Sequence, residues 1–362
     1  MIEIRHFKLI DTVAKVGSLT KAAERLFLTQ SALSHQLREL ENHLGAQVFY
    51  RVNNQLHFTP VGKEFLEAGK DILEHLEKLQ LRLQQISKDQ LKSYIHGYSN
   101  EETKRLNDQA TSISELLHWD SVWPDGSMVL EAACGVGAQT RIITQKNPNT
   151  KFVSVDLSEK SLMTAAKVID SLGISNVEFK HADVFDLPFE NDFFDHVFVC
   201  FLLEHLAEPE LALRELKRVL KPGGTITVIE GDHGSTYFYP DSETAHKAVQ
   251  AQVMLQKLNG GNANIGRQLY PMLSNTEFAN VVVNPRVVYV DDSKLEMVEN
   301  FTRNTFTAMI KGVADEAISK NIISKDEFDQ GVRDLYRTAE GGGTFCYTFF
   351  KAIAYNPGRG VL

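Results

Sequence analysis

Residues 129–156, VLEAACGVGAQTRIITQKNPNTKFVSVD, restrict the fold of this chain more than any other stretch. A short apolar run ends at Glu131 and passes into a turn of small residues, Ala133-Cys134-Gly135-Val136-Gly137. A helix-length segment follows, and a second apolar run, residues 152–155, closes on Asp156. Strand, small-residue turn, helix and acid-ended strand predict a nucleotide-binding β-α-β unit. Small residues let the backbone approach the ligand, and the acid past the second strand accepts hydrogen bonds from ribose hydroxyls. A dinucleotide site would want G-x-G-x-x-G, but Thr140 occupies the position of the third glycine. With an acid opening the turn and no pyrophosphate cradle, the unit suits a cationic, single-nucleoside cofactor better.

The alternation continues beyond Asp156. Residues 159–172 predict a helix stopped by Gly173, residues 177–180 a third strand, and residues 196–201 a fourth. A helix over 208–220 ends at Lys221-Pro222-Gly223-Gly224, which reads as a turn feeding a fifth strand, 225–230. Open α/β sheets bind ligands beyond the carboxyl ends of their strands. Asp183, in His181-Ala182-Asp183-Val184 after the third strand, is therefore placed to accept from an adenine amino group. Capping the next turn is its other use, which leaves unexplained why three successive strand ends carry a carboxylate. Glu204 and His205, just past the fourth strand, are the candidate bases, and His233 after the fifth is a weaker one. For His205 the alternative is that it simply starts a helix. Residues 235–340 exceed what a sheet needs and read as a partly helical insertion.

Glu131, the small-residue turn, Asp156, Asp183, the segment F-D-H-V-F-V-C-F-L-L-E-H-L and L-K-P-G-G follow in order. Together they resemble class I S-adenosylmethionine (SAM) methyltransferases of the small-molecule, ubiquinone-biosynthesis-like type. The resemblance covers residues 93–362 and implies an α/β, Rossmann-like, seven-stranded domain with a helical cap insertion. Its sheet would be mostly parallel, with residues 344–355 as the late antiparallel strand. By the same resemblance Gly135 and Gly137 admit the methionine moiety, Asp156 holds the ribose and Asp183 the adenine. Ala133 departs from the usual glycine. Leu157, Val184 and Phe201 complete the cofactor set with Glu131. Tyr98 lies in a segment that covers SAM in related enzymes, or packs its helix on the sheet. No N/D-P-P-Y/F follows the fourth strand, which argues against the common amino-methylating nucleic-acid enzymes and for a small-molecule acceptor. Arg267 and Tyr270 are expected to line or support the acceptor pocket.

Before this domain the pattern is different. Phe7, Ile10, Val13 and Ala14 predict a helix stopping near Gly17, and a Thr20-led helix carries Ala22, Ala23 and Leu26. Thr29 caps a third, with Leu33, Leu37, Leu40 and Leu44 on its buried stripe and Gly45 as terminator. Residues 48–51 and 56–59, around Asn53-Asn54, read as a small hairpin or wing. A generic three-helix domain explains the apolar pattern equally well. The order of residues, with AA-x-x-L, Q-S-A-x-S, LE-x-x-LG and T-P-x-G, closely resembles the DNA-binding domain of LysR-type transcriptional regulators. That implies a winged helix-turn-helix in residues 1–60, with Gln30, Ser31, Ser34, His35 and Arg38 of the third helix and Arg51 of the wing on double-stranded DNA. His35 stands where the family often has Arg. From residue 61 to 92 an apolar stripe at helical spacing wants a partner helix, and in LysR-type proteins that helix is the dimer linker. A homodimer is expected; packing on the following domain is the alternative.

Charge supports this division. The net charge is −9, but residues 1–60 hold seven Lys/Arg against five Asp/Glu, so the body is acidic and repels nucleic acid. Three cysteines without CxxC spacing predict reduced thiols in the cytoplasm and no metal site. No apolar run is long enough for a membrane span.

Overall fold

The computed structural model describes the backbone of residues 2–26, 28–52, 55–89, 110 and 113–358, and the chain divides into two compact units, Met1–Leu91 and Lys92–Leu362. Tyr98, Asn53, Asn54 and most of the segment expected to precede the first strand of the sheet lie outside the described residues.

The first unit is built from α1 (Ile4–Val16), α2 (Leu19–Arg25), α3 (Gln30–Leu44), a hairpin of β1 (Phe49–Val52) and β2 (Gln55–Phe58), and the 30-residue α4 (Pro60–Asp89). Gly17 ends α1 and Gly45 ends α3, both in the left-handed conformation that costs glycine least. Thr29 Oγ1 accepts from Ala32 N at 3.2 Å and starts α3 as expected. Helix α2 begins one residue earlier than its pattern suggested, because the Ser18 hydroxyl takes the Lys21 N–H and makes Ser18 the cap. Leu9, Ile10, Val13, Ala22, Ala23, Leu33, Leu40, Val48, Phe49 and Phe65 form one core. Gly62 of T-P-x-G has a steric reason: a Cβ there would lie 2.2 Å from the Val48 carbonyl oxygen. Phe65 stacks on Phe7 at 4.7 Å, so the start of α4 belongs to this core. Farther along, Ile72 is 39% and Leu79 48% exposed.

The second unit contains α5 (Ser114–His118), β3 (Met128–Ala132), α6 (Thr140–Lys146), β4 (Lys151–Asp156), α7 (Glu159–Ser171), β5 (Val177–His181), β6 (Phe194–Cys200), α8 (Pro209–Val219) and β7 (Leu220–Tyr239). Then come α9 (Glu243–Leu258), α10 (Leu269–Asn275), β8 (Ala279–Val290), a π-helical segment (Val298–Thr307), α11 (Lys325–Arg337) and β9 (Thr344–Tyr355), among shorter turns. The seven strands lie in the order β5-β4-β3-β6-β7-β9-β8, and β9 runs antiparallel to both its neighbours. Alternate residues of each inner strand feed opposite cores, Val129 against Leu130 and Phe198 against Val197, which is why the strands read as unbroken apolar runs.

Two readings are corrected here. The fifth strand does not end at residue 230 but runs to Tyr239, and Lys221-Pro222-Gly223-Gly224 lies at its start. It is long because β9 pairs with it from Thr225↔Tyr355 to Tyr239↔Thr344. The supposed insertion also supplies the sheet's edge strand, β8, as well as cap helices α9 and α11. From β3 the chain winds outward through β4 and β5, then returns to place β6 on the other side of β3. That switch point lies at the carboxyl ends of β3 and β6, the place where α/β sheets bind ligands.

Candidate functional site

The turn after β3 is held from both sides. Ala133 takes φ 57°, Gly135 φ 54° and Gly137 φ 79°. Ala133 thus adopts the left-handed conformation a glycine would supply, at a cost of about 1 kcal/mol for its Cβ. Asp156 Oδ2 accepts from Gly135 N and Oδ1 from Ser158 N, both at 2.8 Å, so the end of β4 is tied to the turn. A carboxylate offers about four lone-pair sites, and Asp156 keeps capacity for ligand hydroxyls. Beneath the turn, Glu131 is 2% exposed, and its Oε2 accepts from Thr140 Oγ1 at 2.8 Å and Ser154 Oγ at 2.6 Å. Burial pushes the Glu131 carboxyl up to about 7, against the pull of the two hydroxyls and with a further push from the Asp156 charge. From the other side His118 Nε2 meets Gln139 Oε1 at 2.8 Å. Burial holds His118 down at about 4, so it donates as a neutral ring.

Leu157 presents a largely exposed apolar side chain beside Asp156. Asp183 Oδ1 accepts from Phe185 N at 2.9 Å, so it caps its own turn, next to the half-buried Val184. Phe201, at the end of β6, takes φ 57° and lays its ring 5.4 Å from Phe349. A bulky residue at positive φ is strained, and here it follows β6 as Ala133 follows the neighbouring β3.

Glu204 and His205 sit in a 3-10 turn, Leu203–His205, with His205 Nε2 3.7 Å from Glu204 Oε1. Glu204 is 9% exposed and its Oε2 accepts from Gln256 Nε2 at 3.2 Å. Glu230 is fully buried behind the turn, and its Oε1 accepts from Leu202 N at 3.0 Å and Leu203 N at 2.7 Å. Burial, then the Glu204 charge, raise the Glu230 carboxyl well above the usual range despite those N–H groups. His233 is buried against the Ala263 carbonyl and Tyr347 Oη, each 3.1 Å from Nδ1, and burial lowers its pKa. Arg267 is held bidentate by Asp232 at 2.6 Å, and Tyr270 is exposed. Sequence reasoning passed over Glu230 and Gln256. Glu230 carries the same signal as Asp156, an acid closing an apolar strand; Gln256 lies inside a helix with nothing to mark it.

In the first unit, α3 exposes Gln30, Ser31, His35 and Arg38, with Ser34 half-buried, opposite the buried Leu33 and Leu40. Arg51 is exposed on the hairpin, where Tyr50 stacks on His57 at 5.6 Å.

Comparison with known families decides between a generic three-helix unit and a DNA-binding one. Residues 4–63 match the bacterial regulatory helix-turn-helix protein family of lysR type, and residues 130–228 match a methyltransferase domain. The chain joins a LysR-type helix-turn-helix domain to a methyltransferase domain. Over 78 residues this fusion is 44% identical to the HTH-type transcriptional regulator MetR of Buchnera aphidicola subsp. Schizaphis graminum, covering 22% of the chain and 25% of that protein. Over 105 residues it is 39% identical to a demethylmenaquinone methyltransferase of Clavibacter sepedonicus, covering 29% of the chain and 41% of that enzyme. An uncharacterized 37.1 kDa protein in transposon TN4556 of Streptomyces fradiae is 30% identical over 190 residues, 52% of the chain and 54% of that protein. The fusion thus spans about half or less of the length of each relative. Among its described residues no helix is long and apolar enough to cross a membrane, and no group of three or more His, Cys, Asp or Glu could hold a metal ion.

Proposed function

We propose that the fusion is a cytoplasmic DNA-binding regulator whose residues 93–362 transfer a methyl group from SAM to a small-molecule acceptor. Residues 1–60 read double-stranded DNA, and residues 61–92 pair two copies so that two recognition helices meet two half-sites. The exposed Ile72 and Leu79 on α4 support that pairing.

The observation that carries the catalytic reading is the turn 133–137 tied to Asp156 at the switch point of the sheet. The residues present fit SAM. A Cβ added at Gly135 meets no described atom within 4 Å, so the space above the turn is open. Gly135 would face the methionine moiety, with Glu131 backing the turn, while Gly137 lets the turn close on α7, where a Cβ would stand 3.0 Å from Ala165 Cβ. Asp156 would take the ribose hydroxyls, Leu157 and Val184 the faces of the adenine, and Asp183 its amino group. Phe201 would complete the enclosure. When bound, SAM supplies an electrophilic methyl group whose bonding pair leaves with sulfur. The protein aligns the acceptor and receives its proton, and Glu204 and His205 are the groups for that. The low exposure of Glu204 favours a second reading, in which the domain senses SAM without turnover.

Asp156→Ala should weaken SAM by about 1.5–3 kcal/mol, the range for hydrogen bonds to a charged group. Unchanged affinity by calorimetry, in a folded variant, would remove the site. Label from methyl-tritiated SAM appearing in a metabolite extract separates the enzyme from the sensor. On the DNA side, Arg38→Ala and Arg51→Ala should each weaken binding to all sequences and lower the salt slope by about 1. Gln30→Ala and His35→Ala should instead relax sequence preference. A selection experiment in which the full chain shows no preference over random duplex leaves the first unit as a dimerisation device alone.

A further inference from the structure

We propose that Gln256 of the cap and Glu230 of the sheet are positioning residues that clamp the turn carrying Glu204, so that the cap itself assembles the carboxylate that deprotonates the acceptor. This rests on the methyltransferase reading above.

The turn is held from three directions. Glu230 Oε1 takes the N–H groups of Leu202 and Leu203 from behind. Gln256 Nε2, from α9, donates both to the Glu204 carbonyl at 3.0 Å and to its carboxylate at 3.2 Å. Asn262 N donates to the same carbonyl at 2.8 Å. The Gln256 amide is oriented one turn back in its own helix, where Gln252 Nε2 donates to Gln256 Oε1 at 2.8 Å. Gly261 makes the approach possible, since a Cβ there would stand 2.5 Å from the Glu204 carbonyl oxygen and 3.0 Å from Gln256 Cγ. Buried polar groups gathered this tightly fix one geometry, and losing a member leaves the others unpaired at a cost.

Neither Gln256 nor Glu230 reaches solvent, so neither touches the acceptor; both act through Glu204. In the reaction a bond forms between the acceptor's nucleophilic atom and the methyl carbon. The methyl–sulfur bond breaks with its pair going to sulfur, and the acceptor's proton passes to Glu204, then to water on release. The titratable groups facing Glu204 are Cys200 of β6, Glu230 and His233 of β7, Tyr347 of β9 and His205 of the turn itself.

The test uses the full chain with Gln256→Leu and with the exchanged pair Glu204→Gln/Gln256→Glu, which puts an amide and a carboxylate back in contact in reversed positions. Three quantities are read: amide hydrogen exchange over residues 201–206, SAM affinity by calorimetry, and methyl-tritium transfer from SAM into a metabolite extract. Gln256→Leu should speed exchange of the turn by about tenfold or more and cut transfer by about tenfold or more, leaving SAM affinity within about twofold. The exchanged pair restores the side-chain contact, but a carboxylate at 256 cannot donate to the Glu204 carbonyl as the amide does, so it should recover part of the protection and none of the transfer. Protection and transfer both unchanged in Gln256→Leu overturn the clamp. Transfer recovered in the exchanged pair overturns the role of Glu204 as base, as does a parent protein that binds SAM and transfers no label. A parent that binds no SAM removes the methyltransferase reading itself, while the exchange result still judges the clamp.

Discussion

Asp120→Ala is expected to destabilise the methyltransferase domain by about 3–5 kcal/mol, the cost of leaving a buried cation without its anion. Lys351, in the middle of β9, is 1% exposed and donates to Asp120 Oδ1 at 2.6 Å, Ser121 Oγ at 2.8 Å and the Leu117 carbonyl at 3.1 Å. Asp120 also pairs with Arg286 of β8, whose guanidinium lies 5.2 Å from the Trp119 ring. Burial pushes the Asp120 carboxyl up, but Lys351 and Arg286 outweigh it and hold it below its usual range. For Lys351 burial wins, pulling the ammonium down further than Asp120 lifts it. The two partners therefore disagree on whether the pair is favourable, and the desolvation of Lys351 decides: intact, the pair contributes little, and broken it costs much. Replacing both partners should then be milder than replacing one. Both tryptophans, Trp119 and Trp123, lie in this unit, so urea unfolding followed by their fluorescence reports on it alone. Asp120→Ala/Lys351→Met should recover at least about half of the loss. A single variant within about 1 kcal/mol of the parent would show that the pair is not the anchor of residues 114–121.

The second large effect is a pH dependence set by Glu131. Its carboxyl titrates from an ordinary 4.5 in the unfolded chain to about 7 when buried under the turn after β3. Between those values the folded domain holds a proton that the unfolded chain has released. A raised carboxyl pKa means that folding disfavours the charged form, so stability falls as pH rises from about 4.5 to 7 and is flat above, a loss of about 3 kcal/mol. Glu131→Gln keeps an acceptor for the Thr140 and Ser154 hydroxyls but cannot ionise. The variant should match the parent near pH 4.5 and exceed it at pH 8 by about that amount. Tryptophan-monitored urea titrations at the two pH values decide it; parallel behaviour of parent and variant would mean that Glu131 is ionised at little cost.

Much of the site could be read along the chain because its signals are local. Thr29 before α3 and Gly45 after it are capping chemistry within one helical turn. The unbroken apolar runs ending at Glu131 and Asp156 announced inner strands of a sheet covered on both faces. The small residues from Ala133 to Gly137 announced a tight turn, and Ala133 adopts the backbone angle its position demands despite being alanine.

What the local pattern could not contain was anything decided by partners far away in sequence. Strand β7 is more than three times the expected length because β9, more than a hundred residues on, runs beside it. Strand β8 hid inside a segment that read as partly helical, since an edge strand exposed on one side has no long apolar run and acquires its register from β9. Lys351 interrupts an apolar strand, and its burial is made tolerable by Asp120, 231 positions away. Gln256 looked like any helical glutamine until the fold brought it to Glu204. The sequence by itself determined the two domain types and the tight turn after β3, because caps, periodicity and small-residue turns act over a few residues. Only the tertiary structure decided how the candidate base is held, because a buried polar group is defined by the partners that packing brings to it.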